Sequence, residues 1–363
     1  MSNNLKKHRF GAITLLALCM VMILCLPVLI PGGSMNTDAL PEEEEGGEEW
    51  DFDLDGALIG ERIPSLLELL LPSACAEETE NAEEADPAYD LGFDLYTGGR
   101  TPDPEGFVYT EDGDMARYQD DSITVVMETR YEDGVSWRIA YVTVRHPSQL
   151  RTAVAGSKVT KKTTAVCSSM VKKYNAIVAM NGDDYQNNPS AKCFEYRMGQ
   201  KISAKSNSKR DILITDENGD LRIFVKSDAE KLKAFVNEGH KIVNAFMFGP
   251  ALVIDGEWQA IPKDYKYNPM GNEPRSAIGQ TGPLSYVLVV ADGRNESSSR
   301  GVTMEELADF MFYKLDCVQA YNIDGGNSAE MLTWGGRMYM DKKHTERDMN
   351  DIIYFASASE AGE

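Results

Sequence analysis

Residues 275–331 read RSAIGQTGPLSYVLVVADGRNESSSRGVTMEELADFMFYKLDCVQAYNIDGGNSAEM, and their pattern decides the fold. Two apolar runs, 284–290 and 318–323, have the length of buried strands, and each leads into an Asp-Gly pair, at Asp292-Gly293 and at Asp324-Gly325. Between them Thr303 and Glu306 form a capping box for a helix over 304–315, in which Leu307, Phe310, Met311 and Leu315 recur at helical spacing. A strand–helix–strand connection of this length makes its two strands run parallel, so both Asp-Gly loops are expected at one edge of one sheet.

The pattern extends outward from there. Residues 122–127 and 137–144 alternate apolar and polar side chains around Asp133-Gly134, the signature of a β-hairpin. A helix is expected over 163–174, followed by a short buried strand over 176–180 that delivers Asn181-Gly182 at its end. Further strands are expected at 212–215, 221–225 and 251–254, and a helix over 229–237; no repeat of fixed period is present. The expected class is α+β: a single domain over 91–363 built on a large mixed β-sheet with few helices.

The chain ahead of this domain is organised differently. After Lys6, Lys7 and Arg9 comes an uncharged, mostly apolar run over 11–30, which as a helix would span roughly 30 Å, the thickness of a bilayer's hydrocarbon core. With its basic flank on the N-terminal side, residues 1–35 read as a cytoplasmic tip and membrane anchor, with a cleaved signal peptide as the rival; either way the rest faces outside. Residues 36–90 are an acidic spacer of low apolar content, expected to be disordered. Of the formal net charge of -22, residues 38–90 hold -18 and the remainder from 91 onward only -7. With no basic stripe, nucleic acid is not an expected partner. The exported part holds Cys75, Cys167, Cys193 and Cys317 without a C-x-x-C pair, too few for a disulfide scaffold and wrongly spaced for a zinc knuckle.

Several catalytic plans are absent: no G-x-S-x-G elbow, no H-E-x-x-H, no phosphate-binding G-x-x-x-x-G-K-[ST] and no G-x-G-x-x-G. The four histidines are scattered, without a carboxylate or cysteine at ligand spacing. What recurs is a strand ending in Asn or Asp beside Gly: Asn181-Gly182-Asp183, Asp292-Gly293-Arg294, and Asn322-Ile323-Asp324-Gly325-Gly326-Asn327-Ser328. Turn chemistry accounts for any one of them. Three together place carboxylates where a rigid sheet gathers polar groups around a ligand, with glycines that allow close approach and offer N–H groups to an anion. Arg275 adds a planar fork suited to phosphate or carboxylate, with a surface arginine as the competing reading. Asp183, Asp292 and Asp324 offer the hard oxygen ligands that Ca²⁺ or Mg²⁺ would take.

The ordered series of Arg275 before Ser-Ala-Ile-Gly, Asp292-Gly293-Arg294, a Ser/Gly-rich loop, a helix with Glu-Leu-Ala, and Asn322-Ile323-Asp324-Gly325-Gly326 resembles the core of the phosphodiester glycosidase family. Upstream, Asn181-Gly182-Asp183-Asp184-Tyr185 resembles that family's Asn-Gly element, residues 248–257 its Gly-Pro strand, and residues 347–352 its closing strand, so the likeness covers about 165–355. Asp184 stands where the family has an aromatic, and Asn327 where it has a third glycine. The resemblance implies a hydrolase that releases a sugar from a phosphate ester. It gives Asp292 and Asp324 the acid/base and cation-stabilising roles, Arg275 and Arg294 the phosphate, and Asn181, Asn322 and Ser328 the sugar hydroxyls, with Gly182, Gly325 and Gly326 lining the substrate. Asp183 is a further carboxylate or cation ligand. A metal-dependent phosphodiesterase that breaks P–O bonds, and a glycan-binding module without turnover, remain open at this point.

Overall fold

The computed structural model describes residues 99–358, apart from 112–114, 157–162, 184–192, 206, 294–298, 336–337 and 340–344. The anchor and spacer, Cys75, Asp184 and Arg294 therefore lie outside the described residues. Among the described residues no helix is long and apolar enough to cross a membrane.

Nine strands form the main sheet, in the order Phe107–Tyr109, Met115–Gln119, Ile123–Glu132, Val135–Val144, Ser285–Ala291, Arg275–Gly282, Gln319–Ile323, Ala251–Ile254 and Glu257–Trp258. A five-stranded sheet, Met338–Tyr339, Met331–Thr333, Val178–Asn181, Asp351–Phe355 and Leu150–Val154, packs on one face of it. Ile278, Leu288, Val290, Tyr321 and Ile323 meet Val178, Met180, Met331, Ile353 and Phe355 in the core between them. The alternating side chains of the same strands, Ala277, Val289 and Ala291, pack on the other face beneath Leu307, Phe310 and Met311. A second five-stranded sheet, Leu221–Phe224, Ile212–Thr215, Asn244–Phe246, Phe194–Arg197 and Gln200–Ala204, carries the helix Ala229–Asn237 against Ile212, Ile214 and Phe224.

The protein is mostly β-sheet, with three short α-helices among the described residues. The hairpin forms as its sequence requires: Asp133 (φ 52°) and Gly134 (φ 75°) turn between Ile123–Glu132 and Val135–Val144, the double positive φ of a tight type I′ connection. The expected mixed sheet does not form; every strand pairing among the described residues is antiparallel. The reason is an insertion. Ser285–Ala291 and Gln319–Ile323 do run in the same direction, but Arg275–Gly282 lies between them and is antiparallel to both.

Two helices differ from expectation. The helix read over 163–174 begins only at Cys167, because the β-branched approach is extended and Ala165–Val166 pairs with Asp348–Met349. The helix read over 304–315 keeps its capping box, Thr303 with Glu306, but after Met304–Asp309 it widens into a π turn over Phe310–Lys314. There Phe310 stacks on Trp137 with ring centroids 3.7 Å apart.

Candidate active site

Three chain segments meet at one edge of the sandwich: the turn after Val178–Asn181, the loop after Gln319–Ile323, and the start of Asp351–Phe355. Asn181 ties them together. Its Oδ1 accepts from the Ser276 hydroxyl at 2.8 Å and from the Glu330 N–H at 3.3 Å, while its Nδ2 donates to the carbonyls of Asp324 at 2.6 Å and Gly182 at 3.2 Å. With all four bonds made inside a fully buried residue, Asn181 holds the Asp324 loop in place and has nothing left for a sugar hydroxyl. Asn322 is likewise buried, donating to the Gly249 carbonyl at 2.7 Å.

The glycines serve close approach. A Cβ on Gly182 would lie 2.1 Å from Oδ1 of Asp351, and one on Gly325 2.7 Å from the Pro274 carbonyl. Gly326 takes a left-handed φ of 60°, which a side chain would strain. The N–H groups of Gly182 and Gly326 donate to the carbonyls of Asp351 and Pro274, so the expectation that they face an anion is corrected.

Arg275 is tied mainly to backbone. Its buried guanidinium donates to four backbone carbonyls, those of Val302, Tyr267, Asn268 and Gly271, at 2.7 to 3.2 Å, and so clamps the 267–271 loop to the sheet. Asp292 and Asp324 do share an edge, since Ala291 faces Arg275 and Ile323 faces its neighbour Ser276 in the strand between them. Asp292, however, is 6% exposed, and its Oδ2 accepts from Nη2 and Nε of Arg138 at 2.9 and 3.2 Å.

Asp324 instead borders two cavities. One, of about 120 Å³, is lined by Gly182, Asp183, Asp324, Ser328, Arg347 and Asp351 among others. The other, of about 290 Å³, is lined by Phe248, Tyr267, Arg275, Asp324, Gly325 and Arg347 among others. Arg347 belongs to both, and its Nη1 lies 3.5 Å from the Ser328 hydroxyl.

Behind the smaller cavity lies a buried charge cluster that sequence reading did not find. Asp183 donates its N–H to Oδ1 of Asp351 at 3.0 Å, and its Oδ2 accepts from the Met247 N–H at 2.9 Å. Arg197 donates through Nε to Oδ2 of Asp351, and its Nη2 lies 2.9 Å from Oε2 of Glu195 as an ion pair outside hydrogen-bond alignment. Burial raises the Asp351 carboxyl to about 6 although Arg197 pulls the other way. Burial and the charge of Asp183 push Glu195 well above the usual carboxylate range. Glu330, fully buried next in the same loop, is raised to about 8, first by burial and then by the charge of Glu346. One usable signal was present: Glu195 and Arg197 are opposite charges two residues apart, on one face of a strand.

Asp183, Asp292 and Asp324 do not form a compact three-ligand group. Among the described residues that description fits only Asp216, Glu217 and His240. There Asp216 accepts from the N–H groups of Asn218 and Asp220 and from Arg222, and Glu217 accepts from the Lys241 N–H, so the oxygens are already occupied.

The site thus gathers four aspartates and one arginine around a small cavity with a larger one beside it, and the sequence comparison agrees with a glycosidase-type hydrolase. Residues 174–356, half of the chain, match the phosphodiester glycosidase family, and the chain belongs to that family. The SPbeta prophage-derived uncharacterized protein YomE of Bacillus subtilis is 24% identical over 188 residues, which are 51% of this chain and 28% of that one, so this chain spans under a third of that relative's length. The zebrafish N-acetylglucosamine-1-phosphodiester alpha-N-acetylglucosaminidase catalytic domain, auto-inhibited by its pro-peptide, superposes with a TM-score of 0.48 at 16% identity, covering 65% of this chain and 83% of that one. A hypothetical protein from Synechocystis superposes with a TM-score of 0.45 at 15% identity, covering 64% and 62%.

Proposed function

We propose that the protein hydrolyses a sugar 1-phosphodiester of a cell-envelope or exopolysaccharide glycan, breaking the glycosidic C–O bond, from a position outside the membrane. The observation that carries this reading is that Asp183 and Asp324 line one small cavity, with Arg347 at its junction with the larger one. An acidic cavity suits sugar hydroxyls and a cationic transition state, and repels a phosphate group. The phosphate therefore belongs at Arg347, whose fork stabilises the charge that develops on the leaving oxygen. One carboxylate activates water while the other stabilises the oxocarbenium-like state; Ser328 and Asp348 are placed to hold hydroxyls. This moves the catalytic pair from Asp292 and Asp324 to Asp183 and Asp324, and the phosphate contact from Arg275 to Arg347. Asp292, bound to Arg138, supports the sheet edge.

Two arginine variants separate these roles. Arg347→Lys keeps the charge but loses the fork, and is expected to depress turnover of a phosphodiester substrate by about tenfold or more while sparing an uncharged aryl glycoside. Arg275→Lys cannot reach four carbonyls from one nitrogen, and is expected to lower stability and reduce both activities together. Kinetics on the two substrates, with urea unfolding of both variants, read this out. A selective loss in Arg275→Lys with none in Arg347→Lys would return the phosphate to Arg275.

A further inference from the structure

We infer that Asp351 is a positioning residue for Asp183: its carboxylate joins the backbone N–H of Asp183 to the buried guanidinium of Arg197, and so fixes the turn that presents Asp183 to the smaller cavity. This deepens the proposed function, because it rests on Asp183 being a working group of that cavity. Asp351 is itself 0% exposed, so it acts through the residue it holds.

The sheet explains why a side chain serves here. Val178–Asn181 and Asp351–Phe355 pair antiparallel, with Asn181 opposite Ile352, and the Gly182 N–H donates to the Asp351 carbonyl at 3.1 Å. Next along the chain, the Asp183 N–H donates to Oδ1 of Asp351 at 3.0 Å, so the carboxylate carries the pairing one residue further past the strand's end. The fit is close, since a Cβ on Gly182 would lie 2.1 Å from that same oxygen.

The other oxygen, Oδ2, accepts from Nε of Arg197. Arg197 is held in turn on the second five-stranded sheet. Its Nη1 donates to the carbonyls of Tyr196, at 2.8 Å, and of Ala245; its Nη2 lies 2.9 Å from Oε2 of Glu195; and its Cζ is 4.2 Å from the centre of the Phe246 ring. Met247, next after Phe246, donates its N–H to Oδ2 of Asp183 at 2.9 Å. Asp183 is thus fixed at its backbone through Asp351 and at its side chain through Met247, and both ties lead back to the strands Phe194–Arg197 and Asn244–Phe246. Residue 351 must accept from two donors at once, for which a carboxylate has two oxygens and an amide only one.

The test is a double-mutant cycle. In Asp351→Asn the amide oxygen can serve Asp183 or Arg197 but not both, and the NH₂ group then faces the other donor. Per folded molecule, kcat on a sugar 1-phosphodiester is expected to fall about 10- to 100-fold, the usual effect of misplacing a working group by about an ångström, with KM changed far less. Made in an Asp183→Asn background, the same substitution is expected to lower kcat little further, whereas a merely structural residue would lower it equally in both backgrounds. Gly182→Ala is the second variant, should Asp351→Asn not fold. It leaves both charges in place and crowds Oδ1 away from the Asp183 N–H, and its kcat loss is likewise expected to vanish in Asp183→Asn. Amide hydrogen exchange on the whole protein without substrate is expected to be slow at Asp183 in the wild type and about tenfold or more faster in both variants. Equal kcat losses in the two backgrounds, or unchanged exchange at Asp183, overturn the inference. If the wild type turns over no sugar 1-phosphodiester, the functional reading fails, and exchange at Asp183 alone then decides whether Asp351 holds the turn.

Discussion

Asp324→Asn and Asp183→Asn are each expected to lower hydrolysis of a sugar 1-phosphodiester by about 10² to 10⁴, the usual consequence of removing a positioned acid or base. The substitution keeps the shape of each side chain, and the backbone carbonyl of Asp324 accepts from Asn181 in either variant, which helps the loop keep its place. The two losses should also be less than multiplicative when combined, because the residues line one cavity and act on one transition state. Asp292→Asn should behave differently. It leaves the Arg138 guanidinium at a largely buried site with a neutral partner, so its main effect should be a lowered unfolding midpoint, with kinetics per folded molecule changed far less. Steady-state kinetics with circular dichroism on the three variants distinguish the assignments. A collapse of turnover in stable Asp292→Asn, with near-normal rates in Asp183→Asn, would restore the pairing first read from the sequence.

A gain in stability is expected from Glu330→Gln, and it should grow with pH. Both oxygens of Glu330 are buried without a hydrogen-bond partner of proper geometry, and the nearby Cys167 thiol is itself held neutral by burial. Because the folded-state value, about 8, lies above the unfolded one, the folded state binds the extra proton between these two pH values. The contribution is therefore complete below the unfolded value of about 4.5 and is lost as pH rises through about 8. At 1.36 kcal/mol per unit, the span corresponds to a few kcal/mol at most. Glutamine has no charge to bury, so the variant should match the wild type near pH 4.5 and exceed it at pH 8 in urea unfolding. Equal stability of the two proteins at pH 8 would mean that Glu330 is solvated or paired in solution.

What could be read from the chain and what could not follows from where each signal resides. The Asp-Gly strand ends at Asp292 and Asp324, and the Asp133-Gly134 turn, were legible because alternation and turn chemistry are local. The common direction of the two strands flanking the capped helix was legible for the same reason. Their adjacency was not, because Arg275–Gly282 precedes them in sequence and enters between them in space. Arg275 is ambiguous in sequence because a guanidinium looks the same whether it meets a phosphate or four carbonyls. Its actual partners are backbone atoms of the 267–271 loop and Val302, which carry no side-chain signature. The amide of Asn181 is ambiguous in the same way. The cluster around Arg197 was hidden by distance: Asp351 lies 154 residues away along the chain, and Arg347 was legible only as part of a closing strand.

Hydrolysis of a sugar 1-phosphodiester in water labelled with oxygen-18 tests the central claim most directly. Attack at the anomeric carbon puts the label into the released sugar and leaves the phosphate monoester unlabelled, and mass spectrometry of the two products is expected to show that pattern. Label recovered in the phosphate would mean that the P–O bond is broken, and would contradict the glycosidase mechanism.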